Sequence, residues 1–278
     1  MADAVNEGAV PARATQTSAP LARPRPEPNV PRHRFGIAYL ILAALLGTAV
    51  GLLVVLAADG GKNSGPAWSA WKPKDSGVGK LNEISKFVES EYALQNGRRL
   101  VLVLSTPPEV QSQGQPVPLR AIGVSSGLPG ETAQDASFYD ASSAWAYNFC
   151  GEGAKCALPG SPTVARYDML RREALEIALY TFKYEPKLES IVTYMPPATT
   201  GRTTTNTAIF LRRPDVAAAL KVPLARTLRR VKASLRPGQM SAREVATVRQ
   251  YTDNHIYQYA FQPLQDGTPI LALVPLRP

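Results

Sequence analysis

His255 stands two residues after Asp253 and opens onto Tyr257, Tyr259 and Phe261. Strict alternation would put all five side chains on one side of a strand. An acid, an imidazole and two phenols could in principle move protons or activate a nucleophile. A Ser–His–Asp hydrolase also needs a serine held in a strained turn, and no G-x-S-x-G occurs in the chain. Ser69-Ala-Trp-Lys72 fits the S-x-x-K pattern, but no K-T-G follows it, and it stands in a linker that offers a catalytic serine no rigid support. No H-E-x-x-H, Walker loop or dinucleotide fingerprint is present. The aromatic run Phe138–Phe149 (FYDASSAWAYNF) could stack on a carbohydrate ring, and packing against the neighbouring cysteine loop explains it as well. No catalytic residue, metal ligand or cofactor site is assigned on these patterns.

Cys150 and Cys156 are the only cysteines. Five residues separate them, too many for a Cys-x-x-Cys redox pair, and no histidine lies nearby to complete a zinc site. They are expected to form a structural disulfide, which calls for an oxidising compartment.

Charge is uneven. The chain carries a net +9, of which Arg212–Arg243 alone supplies +8, from nine Lys/Arg against Asp215. Within it, Leu224, Leu228, Val231 and Leu235 are spaced to line one side of a helix over Leu224–Leu235. Arg226, Arg229, Arg230 and Lys232 fall mostly off that stripe, which makes a cationic face for anionic lipid or acidic envelope polymers.

Those residues need elements to position them, and the longest apolar run comes first. Phe35–Ala58 has 24 residues without a charge, and 13 of them are Leu, Ile, Val or Phe. As a helix it would be about 36 Å long, enough for a hydrocarbon core of about 30 Å, so a single transmembrane helix is expected. Five arginines and three acids precede it, which by the positive-inside rule puts residues 1–34 in the cytoplasm and the rest outside. Nucleic acid is then an implausible partner. Ala43, Gly47 and Gly51 form a small-residue stripe that could pack a second copy into a homodimer. Residues 1–34 are Pro/Arg-rich and read as disordered, and 59–78 read as a flexible linker with Trp68 and Trp71 free to meet membrane or domain.

Residues 79–278 read as an extracytoplasmic α+β domain. Helical spacing over Lys80–Leu94 precedes strands at Leu100–Ser105 and Leu119–Ser125. A helix from Ser161-Pro162 to about Tyr184 precedes strands at Ser190–Met195 and Asn206–Leu211. In it, Asp168, Arg172 and Glu176 form a charged edge, and Leu170, Ala174, Ile177 and Ala178 face the core. Helices at Leu224–Leu235 and Ser241–Gln250 precede a hairpin of Ile256–Phe261 and Ile270–Val274 around Asp266-Gly267. The expectation is three helix-strand-strand units building a mainly antiparallel or mixed sheet of about six strands, with helices on one face. The functional expectation is a membrane-anchored, non-catalytic interaction or scaffold module of the cell envelope. An envelope hydrolase with a site near His255 is the alternative.

Overall fold

The computed structural model describes residues 67–128, 135–160, 162–200, 203–230 and 234–276. The segments 1–34 and 35–58, with Ala43, Gly47 and Gly51, lie outside them, and no helix among the described residues is long and apolar enough to cross a membrane. Residues 64–278 form one compact unit that contains every residue of both hydrophobic cores.

The hub is the helix α2 (Val164–Tyr184). Thr163 caps it by accepting a hydrogen bond from the Arg166 N–H, which satisfies one of the free amides of the first turn. Every residue from Asp168 to Phe182 is buried, so α2 has neighbours on all sides. On it pack α1 (Gly77–Ser90) and α5 (Ala242–Thr252), and the sheet lies beneath. α1 buries Leu81, Ile84 and Val88, the spacing its sequence announces. Ser241 caps α5 through the Glu244 N–H.

The sheet corrects the expected six-strand domain of three units. It has eight strands, ordered β1 (Leu102–Thr106), β6 (Ala144–Cys150), β7 (Ser190–Tyr194), β10 (Thr207–Arg212), β11 (Ile256–Pro263), β12 (Pro269–Pro275), β4 (Ala121–Val124) and β5 (Ser137–Asp140). Two ribbons stand apart: β2 (Glu109–Ser112) with β3 (Gln115–Pro118), and β8 (Ala198–Thr200) with β9 (Thr203–Thr205). The sheet is mixed, because β6–β7 and β12–β4 pair parallel and the remaining neighbours antiparallel. β4 does not return beside β1. It crosses to the far side and pairs with β12 and β5, and β6 takes the place next to β1. That exchange dissolves the first helix-strand-strand unit.

Side chains alternate across the strands into two cores. Val103, Tyr147, Phe149, Ile191, Ile209 and Leu211 meet the helices. Val192, Ala208, Phe210, Tyr257, Leu271 and Ile122 form a second core on the opposite face. The sheet covers that face by curling. Tyr139 on β5 packs on Phe210 of β10 with ring centroids 5.4 Å apart, although three strands separate them in the sheet.

Candidate functional site

His255 does not join a strand face with Asp253. Residues Asp253–His255 form a 3₁₀ turn between α5 and β11, and the turn sends the two side chains different ways. Asp253 is ion-paired with Arg171. His255 turns toward Asp215, Nδ1 to Oδ2 3.8 Å. That carboxylate already accepts from the Arg212 backbone N–H at 2.8 Å and from the Arg212 guanidinium at 3.0 Å, and Arg212 also donates to the Tyr139 hydroxyl at 3.0 Å. Burial pushes the His255 imidazole below its ordinary range, with Asp215 opposing the shift. Among the described residues no hydroxyl or thiol is hydrogen-bonded to this imidazole, and no group of three or more His, Cys, Asp or Glu side chains could hold a metal ion. The arrangement ties the end of β10 to the start of β11. Among the described residues it has no positioned nucleophile.

The charged edge expected on α2 is interior. Asp168, Arg172 and Glu176 are buried, because α5, α1 and the chain around Arg229 cover them. Arg172 is 1% exposed and is the centre of a network. It donates to Glu244 on α5 at 2.8 Å, to Glu176 at 2.8 Å and to the carbonyl of Arg229 at 2.8 Å, and it also bonds the Tyr92 hydroxyl. Arg249 holds Asp168 through two hydrogen bonds at 2.8 and 3.0 Å. Glu173, one residue on from Arg172, is fully buried, and neither oxygen has a hydrogen-bond partner among the described residues. Burial and the neighbouring carboxylates of Glu89 and Glu176 push its carboxyl well above the usual range.

This network fixes the basic segment, and it corrects the helix expected there. After a short helix α3 (Ala217–Leu220), only α4 (Leu224–Thr227) is helical among the described residues of Leu224–Leu235, and Val231 lies outside them; Leu228 is already extended, at φ −123° and ψ 126°. The reason is local competition. The Arg229 N–H donates to Glu244 and its C=O accepts from Arg172, so neither can continue a helical ladder. The chain then runs alongside the end of α1: the Leu235 N–H donates to the Glu91 carbonyl at 2.6 Å and the Leu235 carbonyl accepts from Ala93 at 2.8 Å. Leu224, Leu228 and Leu235 are buried as their pattern suggests, by an irregular chain in place of a helix. Arg226, Arg229 and Arg230 are exposed, and none is in an ion pair among the described residues. Lys232 lies outside the described residues. Beside the arginines is an open concavity of about 650 Å³, lined by Arg229, Ser234, Arg236 and Gln239. Arg236 was not singled out in the sequence, and it takes part because Pro237 and Gln95 dock the loop, Gln95 Nε2 to the Pro237 carbonyl at 2.9 Å.

Trp68 and Trp71 lie on the domain. Trp71 stacks on Phe87 with centroids 4.0 Å apart, and Trp68 meets Tyr180 and Tyr184 edge-on. Ser69 bonds the Trp71 carbonyl and Tyr184, and Lys72 is exposed, so the S-x-x-K pair is not assembled. Cys150 and Cys156 are disulfide-bonded. Their loop sits at the end of β6 and is closed by two further hydrogen bonds, Gly151 N–H to the Cys156 carbonyl and Gly153 N–H to the Ala157 carbonyl, both 2.9 Å.

Compared with known proteins, the chain matches no family model, no curated sequence and no solved structure.

Proposed function

We propose that the chain is a non-catalytic interaction module of the cell envelope, tethered to the membrane through the apolar stretch 35–58, and that it contacts phosphate-bearing anionic surfaces through Arg226, Arg229 and Arg230. The observation that supports this reading is the clamp on Arg229. Two buried, oppositely charged side chains hold its backbone at both the N–H and the C=O, and leave its guanidinium in solvent with two other unpaired arginines. Each cation near an anionic surface contributes about 1 kcal/mol, an attraction that salt weakens. The disulfide suits an oxidising, extracytoplasmic setting. His255 and Asp215 are committed to a strand junction, and Arg172, Glu176 and Glu244 to the helix layer.

The test uses residues 64–278, which hold both cores and omit the apolar stretch. Co-sedimentation with phosphatidylglycerol vesicles, and none with phosphatidylcholine vesicles, is expected at low salt, with release as NaCl rises. Inorganic polyphosphate as competitor separates the sources: displacement from vesicles indicates recognition of phosphate itself, and no displacement indicates recognition of the lipid surface. Equal binding to neutral and anionic vesicles would contradict the proposal.

A further inference from the structure

A second cavity adjoins the disulfide loop. A pocket of about 260 Å³ opens between residues 157–160, the start of α2 and the Pro196-Pro197 corner after β7. That is just under the range of ligand pockets, about 300–1,000 Å³. Leu158, Tyr167, Leu170, Met195, Pro196 and Pro197 make its walls apolar. The wall at 157–160 is preformed, because the disulfide and the two glycine N–H bonds anchor it to the end of β6.

Arg166 is the charged group in that lining. Its guanidinium donates to the Pro159 carbonyl at 2.6 and 3.1 Å and to the Gly160 carbonyl at 3.2 Å. Those are neutral partners. Among the described residues it has no carboxylate in ion-pair reach, and the first turn of α2 contains no acid. Three bonds use three of its five N–H groups, so two donors and a whole positive charge are left at an apolar pocket. The two donors left, Nε–H and one Nη1–H, point from opposite sides of the guanidinium, so a planar carboxylate takes one charge-assisted bond beside the positive charge. A phosphate would bring a second charge that these walls cannot compensate.

We infer that this pocket binds a small monocarboxylate with a compact apolar body, its carboxylate on Arg166 and its body between Tyr167, Leu170 and Met195. Benzoate is the probe and benzamide its uncharged counterpart of the same shape. Calorimetric titration of the full-length chain in a neutral detergent is expected to give benzoate a Kd at least tenfold below that of benzamide. Ala157→Leu adds bulk to the wall without touching the charge, and should abolish binding of both. Arg166→Gln should bring benzoate down to the benzamide level, and Arg166→Lys should restore part of the preference. Near-UV circular dichroism checks that each variant keeps its packing. If Arg166→Gln fails that check, Ala157→Leu decides. Failure of benzoate to bind, benzoate binding no tighter than benzamide, or undiminished binding by Ala157→Leu would each overturn the inference.

Discussion

Arg172 joins more of this fold than any exposed charge does. It ties α2 to α5, to the end of α1 and to the basic segment through four different partners. Removing one partner of a buried pair leaves the other charge unpaired, at a cost of about 3–5 kcal/mol. Arg172→Ala is therefore expected to lower unfolding stability by about that amount in urea titration. Glu173 acts in the opposite direction. Its carboxyl is raised far above the 4.5 of an unperturbed glutamate, so the folded chain holds a proton that the unfolded chain releases. Its contribution is complete below that value and is lost as pH rises above it. Glu173→Gln should flatten the fall of melting temperature from about pH 5 to about pH 8 and leave the variant the more stable at the upper end. His255 gives the reverse sign. Its folded value lies below 6.5, so stability is complete above 6.5 and declines as pH drops through that value toward the lower folded one. His255→Gln should lose this part of the acid sensitivity, read from melting curves between about pH 7 and about pH 5. The sequence showed Asp168, Arg172 and Glu176 at helical spacing, which suits a solvated edge equally well. Spacing along one helix cannot report how many neighbours cover it, and α2 is covered all round.

At the scale of elements, local signals were legible and long-range ones were not. α1, α2 and α5 form close to where periodicity and caps place them, and Asp266-Gly267 does turn the β11–β12 hairpin. β6 went unread because AWAYNFC looks like an aromatic cluster, yet Trp145, Tyr147 and Phe149 alternate at period two, and that was its signal. The apolar run LVLVLS reads as a buried strand, yet β1 buries one face only: Val103 faces the core while Leu102 and Leu104 are 46% and 44% exposed. The helix over Leu224–Leu235 failed because its partners, Arg172 and Glu244, lie far away in sequence and capture the Arg229 backbone. The disulfide loop is the element with the strongest local demand. A Cβ on Gly151 would stand 2.4 Å from the Ala157 carbonyl oxygen, so the chain approaches itself there more closely than any side chain permits. Closing this short loop stabilises by about 2 kcal/mol in the chain-entropy account. Cys150→Ser with Cys156→Ser should lose about that much in denaturant titration, and thiol labelling of the unreduced, denatured parent should find neither cysteine free.

For the whole molecule, the hairpin pairs β7–β10 and β11–β12 follow the chain, whereas β1–β6 and the parallel pair β12–β4 join strands that nothing local connects. That is why an expected six-strand sheet of repeated units became a curled sheet of eight. The net charge of +9 was legible, but its use was not, since the arginines become a surface only when the buried network holds their loop. The candidate site was thus half readable: Arg226, Arg229 and Arg230 from composition, Arg236 and the concavity only from the fold. The decisive measurement replaces Arg226, Arg229, Arg230 and Lys232 together with Gln in residues 64–278, and compares vesicle binding with the parent at matched salt. The side chains of Arg226, Arg229 and Arg230 are solvent-exposed, so the variant should keep the parent's circular dichroism and melting temperature. Loss of binding to phosphatidylglycerol vesicles in that folded variant is the predicted result; binding equal to the parent would show that the contact with anionic surfaces lies elsewhere.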